Sequence, residues 1–268
     1  MQEGTSAATR DALCSMLEEL RANGVRDVHF LVHSLGSTVV LRSICDDPEK
    51  RIARLFAECE PPPRAAAAAA ATGRDGSSPT TSSSGPLPLL RLKTFTLLHP
   101  DCSLRQFVSH DFAILRRLCN HLTVLGDKND QALFWSERVN RDFDLDPALE
   151  PSWRRAVGRS VRSVGRAVFA LHAGDAVAAG DGGGGGGGTR SPRRGEKRWL
   201  DLDALDTSWM DQNVHALRHN YFTLNPTLVE DLVELVVTGK RAVDRSLLLR
   251  REGNIFSYCS APSCVVND

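Results

Sequence analysis

The sequence predicts an α/β fold with a mainly parallel sheet and helices on both faces. Two observations carry this expectation. Short runs of β-branched and apolar residues recur along the chain, and a stretch with apolar residues at helical spacing follows each of them. Strands alternating with helices argue for a parallel sheet covered on both faces.

The elements follow in order. Leu13, Met16, Leu17 and Leu20 form one stripe of a helix over 7–22, which Asn23-Gly24 stops. Val28 to Val32 is a first strand; a second helix passes through Val39, Val40, Leu41 and Ile44 and ends near Asp46-Asp47-Pro48. Residues 48–59 read as a further short helix. A second strand covers 92–98, a helical region about 104–118, a third strand 121–125 and a helix 131–141. Residues 150–172 form a basic helical or irregular excursion. A weaker fourth strand spans about 199–205, a long loop runs to Asn225, and an amphipathic helix closes the pattern from Pro226 to about Thr238. Two tracts interrupt it. Residues 60–88 hold a triple proline, seven alanines and a Ser/Thr/Gly/Pro stretch; residues 174–197 hold seven consecutive glycines. Neither can bury enough apolar surface to offset ordering, so both are expected to be disordered insertions in one domain. The ordered parts are then about 7–59, 90–172 and 198–258.

Composition excludes several classes. The 33 basic and 33 acidic residues balance, which leaves no footprint for nucleic acid. The seven cysteines are scattered, and no pair has the spacing of a zinc knuckle or redox motif. Residues 1–10 are polar, and no run approaches the roughly 20 apolar residues that span a bilayer. An intracellular, cytoplasmic protein with reduced thiols is the expectation.

Parallel sheets carry their chemistry at the C-terminal ends of the strands. Three of these ends hold what serine chemistry needs, in the order Ser34, Asp130, His219. Ser34 sits at a sharp strand-to-helix passage in Val32-His33-Ser34-Leu35-Gly36, where the positions two away must be small; Gly36 meets that need and Val32 does not. The Leu35 N–H, at the start of a helix, is the expected oxyanion donor. His219 lies in the loop before the last helix and is the expected base, with His215 four residues earlier as the alternative. Asp130 is the expected acid, with Asp127 and Asp101 as alternatives; Asp130 also stands where an Asp commonly caps a helix.

Four segments together resemble one family: His33-Ser34-Leu35-Gly36, His99-Pro100-Asp101, Asn129-Asp130-Gln131-Ala132-Leu133, and His219-Asn220-Tyr221-Phe222 with Asn225-Pro226. The sequence is similar to the alpha/beta-hydrolases of domain of unknown function 900, which typically show His-Ser-Met-Gly, Ala-Pro-Asp, Asp-x-Ala-Leu and His-x-Tyr-Phe at these places. The resemblance implies a serine hydrolase with Ser34, Asp130 and His219 as its triad, and no substrate. Relatives carry several strands and a loop before the elbow, and that loop supplies a second oxyanion donor. About 27 residues precede the elbow strand here, so the resemblance implies the C-terminal part of the hydrolase domain.

The expected reaction is hydrolysis of a carboxylic ester or related acyl bond in a small molecule or lipid, with no metal and no organic cofactor. The alternative is a truncated or degenerate, non-catalytic relative acting by binding. Weaker signals have plain explanations. Arg154, Arg155, Arg159, Arg162 and Arg166 read as a solvated basic face before a lipid-binding one. Asp201, Asp203 and Asp206 lack the glycine turn and distal Glu of a calcium loop, and Trp199 and Trp209 read as core.

Overall fold

The computed structural model describes residues 7–59, 87–119, 121–139, 162–173, 198–210, 219 and 225–259. The expected insertions lie outside the described residues except for Leu87 and Pro88, as do Arg154, Arg155, Arg159 and His215. The sheet is mainly parallel, as the alternation of strand and helix requires. It has six strands where the sequence pattern suggests four.

Helix α1 (Ala7–Ala22) leads to strand β1 (Asp27–His33) and helix α2 (Leu35–Cys45). Strand β2 (Arg91–Leu98) is followed by α3 (Leu104–Gln106), a π-turn over Phe107–Asp111, and α4 (Phe112–Leu118). Strand β3 (Leu122–Gly126) leads into α5 (Gln131–Val139). Strands β4 (His172–Ala173) and β5 (Arg198–Trp199) pair antiparallel in a small separate ribbon. Strand β6 (Asp203–Asp206), helix α6 (Pro226–Thr238), and the hairpin β7 (Leu248–Glu252) and β8 (Ile255–Tyr258) complete the order. The main sheet runs β1-β2-β3-β6-β8-β7, with only β7 antiparallel to its neighbour.

Three sequence expectations change. The strand expected at 199–205 divides, because Trp199 pairs with β4 and only Asp203–Asp206 joins the main sheet. The helix expected at 48–59 is a single 3₁₀ turn, Ala53–Leu55. There the Asp47 carboxylate accepts from the Glu49 and Arg51 N–H groups, and Lys50 takes φ 52°. Such a side-chain-to-backbone turn competes with a regular helix start. Finally, β7 exposes four of its five residues while β8 buries all four, so neither strand shows the alternation that marks a half-buried strand.

Side chains alternate across the sheet, and the register aligns them into rows. Val32, Leu97, Val124, Ala204 and Ile255 are paired in sequence across five strands and face one core with α1, α2 and α4. One residue on, Leu98, Leu125, Leu205 and Phe256 face the opposite core against Leu228, Leu232 and Leu235 of α6. The sheet is thus covered on both faces, as parallel sheets require. Among the described residues, no helix is long and apolar enough to cross a membrane.

Two buried charge clusters tie the C-terminal segments down. Asp203 accepts from Arg241 Nε at 3.0 Å and from the Ala242 N–H at 2.8 Å, and lies 3.2 Å from His121 Nε2. Burial alone would raise its carboxyl, but these donors outweigh burial and hold it down at about 2. Asp201 likewise pairs with Arg116 and Arg241, and Asp206 accepts from the Ser208 N–H. This acidic trio spends its oxygens on internal donors. Behind α6, Asp231 Oδ2 accepts from Arg245 Nη1 at 2.7 Å and from the Tyr258 hydroxyl at 2.9 Å, with both charged side chains fully buried.

Because the folded Asp203 carboxyl lies below its ordinary 3.8, its stabilisation is complete above the ordinary value and is lost as pH falls from about 4 toward 2. This group is expected to remove about 2 kcal/mol of unfolding free energy over that window. Urea unfolding across a pH series checks it: Asp203→Asn should show a shallower acid limb than the natural sequence. Asp231→Ala strands the Arg245 guanidinium in the core and should cost about 3–5 kcal/mol. A drop in urea stability below 1 kcal/mol would mean that Arg245 swings out to solvent.

Candidate active site

The rows that build the cores also set the strand ends side by side. Ser34 follows β1 and its N–H donates to Leu98 O at 3.0 Å; His99 follows β2 and its N–H donates to Leu125 O at 3.0 Å. Ser34 joins β1 directly to α2 at φ 53° and ψ −129°. A non-glycine residue in that region costs about 1–3 kcal/mol and persists only where its surroundings over-determine it. Here they do: the Ser34 carbonyl accepts from the N–H groups of Ser37 at 3.0 Å and Asp101 at 3.1 Å. Gly36 is the small partner of the turn. A Cβ there would meet Val32 Cγ1 at 3.6 Å, an ordinary van der Waals contact, so Val32 is accommodated without crowding the turn.

His219 approaches from the far end of the sequence. Its Nε2 lies 2.7 Å from Ser34 Oγ and its Nδ1 2.8 Å from Asp130 Oδ2. The second contact makes Nδ1–H the donor to the carboxylate, which leaves Nε2 to accept from the serine hydroxyl. Asp130 is fully buried, and its two oxygens divide their work. Oδ1 accepts from the Leu133 N–H at 2.9 Å and caps the first turn of α5; Oδ2 faces His219 and, at 3.1 Å, His99 Nδ1. Burial alone would raise the Asp130 carboxyl, but the donors from His219, His99 and Leu133 prevail and hold it below its ordinary value. Helix cap and histidine partner are one residue using two oxygens.

The other candidates sit elsewhere in the network. Asp127 Oδ1 accepts from the Asn129 N–H at 2.7 Å and shapes the loop that presents Asp130. Asp101 is buried beneath the elbow, where Ser136 Oγ donates to it at 2.6 Å; burial lifts its carboxyl above the ordinary range in spite of that donor. His215, the alternative base, lies outside the described residues. Leu35, the expected oxyanion donor, opens α2, so its N–H has no acceptor within the helix.

Two histidines beside these residues have no role assigned from sequence. His99 holds φ 45°, is fully buried and reaches Asp130; its signal was a histidine in place of the alanine usual in the similar family's Ala-Pro-Asp. His33 Nε2–H donates to the His219 carbonyl at 3.1 Å, and the two rings stack with centroids 4.7 Å apart. Burial lowers the His33 imidazole below its ordinary value. The third unread feature is a pair of glycines. A Cβ on Gly165 would come within 2.9 Å of the His99 carbonyl carbon, and one on Gly126 within 2.3 Å of the Gly165 oxygen. Their absence of side chains lets residues 163–167 cross the ends of β2 and β3, where Gly165 N–H donates to Pro100 O and its carbonyl accepts the Asp127 N–H. Arg166, expected on a solvated basic face, instead pairs with the part-buried Glu137 in this crossing.

Metal-ligating side chains converge in groups of three at two places among the described residues: His99, Asp130 and His219, and Asp46, His110 and Asp111. The first group is the hydrogen-bonded set just described.

Neither the curated proteins nor the solved structures include a match to this chain. The family described as alpha/beta hydrolase of unknown function (DUF900) matches residues 2–165, which include the elbow, His99 and Asp130 and stop short of His219. With that match over more than half of its length, and a six-stranded, mostly parallel sheet flanked by helices, the chain belongs to the DUF900 alpha/beta hydrolases.

Proposed function

We propose that this chain is a serine hydrolase that cleaves a carboxylic ester or related acyl bond in a small molecule or lipid. The observation that carries the reading is the continuous line from Ser34 Oγ through His219 Nε2 and Nδ1 to Asp130 Oδ2, with both heavy-atom distances under 3 Å. Family membership supports hydrolase chemistry in general. The strained φ of Ser34 supports a nucleophile, since strain of this kind gathers at reactive turns.

In this mechanism Ser34 Oγ attacks the carbonyl carbon and its proton passes to His219 Nε2. Asp130 remains ionised and stabilises the imidazolium that forms. The Leu35 N–H, at the positive end of α2, receives the oxyanion. Collapse of the tetrahedral intermediate expels the alcohol, which takes the proton back from His219. Water, activated by the same imidazole, then releases the acid and restores Ser34. The Leu35 side chain is exposed next to the nucleophile, which favours an apolar acyl group over a charged one.

A fluorophosphonate probe on the full chain should label Ser34, and Ser34→Ala should abolish both labelling and turnover of a short-chain nitrophenyl ester. Asp130→Asn should lower kcat by about 10⁴, the usual result of the wrong imidazole tautomer. Labelling of the Ser34→Ala protein at an unchanged rate would remove Ser34 from this role.

His99 acts through Asp130 and is a positioning residue. His99→Ala deletes one hydrogen bond to an ionised carboxylate, worth about 1.5–3 kcal/mol. The expected loss in kcat is about 10–100-fold, with probe labelling of Ser34 slowed and KM little changed. A pH–rate profile whose limbs do not move would show that His99 serves packing alone.

A further inference from the structure

We infer that Asp46, His110 and Asp111 form a binding site for a divalent transition cation of the zinc class, which clamps the C-terminal end of α2 to the π-turn. The site is independent of the proposed triad. Asp46 is the residue that ends α2, and His110 and Asp111 close the π-turn that begins at Phe107.

The geometry supplies three ligand atoms, one from each residue, that all lie within 4.8 Å of one another. Asp46 Oδ1 stands 3.6 Å from His110 Nε2. Two ligands at ordinary zinc distances on a tetrahedral ion are about 3.4 Å apart, so this pair is already spaced for a common cation. The second carboxylate makes the case. Asp111 is 2% exposed, and its Oδ1 has no hydrogen-bond partner. An unsatisfied buried carboxylate oxygen is costly, and a cation is the partner that would satisfy it.

Arg42 is the nearby cation that could have filled this place, and it is committed elsewhere. Its Nη1 holds the other Asp46 oxygen, Oδ2, at 2.7 Å, and its Nη2 holds Gln106 Oε1. Asp46 therefore keeps Oδ1 for His110 and the ion. The C-terminal end of α2 adds its own partial negative charge to the same spot. A nitrogen and two carboxylate oxygens suit zinc or cobalt over calcium, which prefers an all-oxygen shell. His110 and Asp46 are partly open to solvent, so water completes the coordination.

The consequence is mechanical. Ser34 begins α2 and Asp46 ends it, so the cation would pin the distal end of the helix whose first N–H groups face the nucleophile.

The test uses the full chain without an affinity tag, titrated with Co²⁺ and followed by visible absorption and thermal unfolding. One equivalent should give the weak d–d bands of nitrogen and oxygen ligation, and Tm should rise by about 5–10 °C at a hundredfold excess over Kd. His110→Ala should weaken binding at least about tenfold, the cost of one ligand. Asp111→Asn should lose the shift as well, while its metal-free Tm stays level or rises because a buried charge has gone. His110 is 49% exposed, so its truncation decides the matter even where Asp111→Asn fails to fold. No shift in the natural sequence would overturn the site, as would an intense thiolate charge-transfer band, which would put the ion on cysteine. Unchanged affinity in His110→Ala would overturn it too; blocked probe labelling of Ser34 in that case would move the ion to the His99–Asp130–His219 group.

Discussion

A single buried carboxylate links the parts of this site that the chain keeps farthest apart. Asp130 holds the first turn of α5 with Oδ1, and with Oδ2 it holds His99 from the end of β2 and His219 from just before α6. It is fully buried, so its charge would be intolerable without those donors. With them it is held below the ordinary carboxylate range. The arrangement is reciprocal. Each donor is oriented by the carboxylate, and the carboxylate stays charged because of the donors. Removing any member costs more than one hydrogen bond, since the others lose their reason to be where they are.

What brings the three segments together is the register of the sheet. Alternate rows of side chains fill two cores on opposite faces, and a slip of one residue would exchange them. That constraint fixes where each parallel strand stops. Ser34 and His99 are the first residues beyond neighbouring strands, and their N–H groups continue the ladder to Leu98 and Leu125. Burial of ordinary apolar residues thereby sets the spacing of Ser34 and His99. The positive φ at Ser34 and again at His99 is the local cost of turning both chains sharply at this edge.

Other buried carboxylates collect donors, although Asp231 Oδ1 and Asp101 Oδ1 are left without one. Asp203 collects an arginine and a backbone N–H beside His121, and Asp231 collects Arg245 and Tyr258. Each fastens a C-terminal segment to the sheet, which is why α6 and the loop after it have a defined place from which His219 can be presented. Asp111 differs in its surroundings. It is buried with an oxygen unmatched, in a turn of rare geometry, beside a half-exposed histidine. An unmatched group of that kind points to a missing ligand more readily than to a packing error.

Much of the fold was legible in the sequence because it rests on local pattern. Strands β1, β2 and β3 stand within one residue of where their apolar runs place them, and α1, α2 and α6 follow their stripes. The strands of the hairpin β7–β8 do not alternate, since one is nearly all exposed and the other all buried, and its local signal was the Gly253-Asn254 turn, with Gly253 at φ 56°. Residue types and their order singled out Ser34, Asp130 and His219, with Asp127 and Asp101 as alternatives to Asp130. Which oxygen faces the imidazole is set by the turn into α5 and by the glycine crossing at Gly126 and Gly165, where backbone packs on backbone without a side-chain signature. The sequence by itself determined the alternation of layers and the chemistry available at the strand ends. Only the tertiary structure decided that His99 belongs beside Asp130 and His33 beside His219, because contacts made across 31 and 186 residues depend on where the sheet brings its edges, and no local pattern encodes that distance.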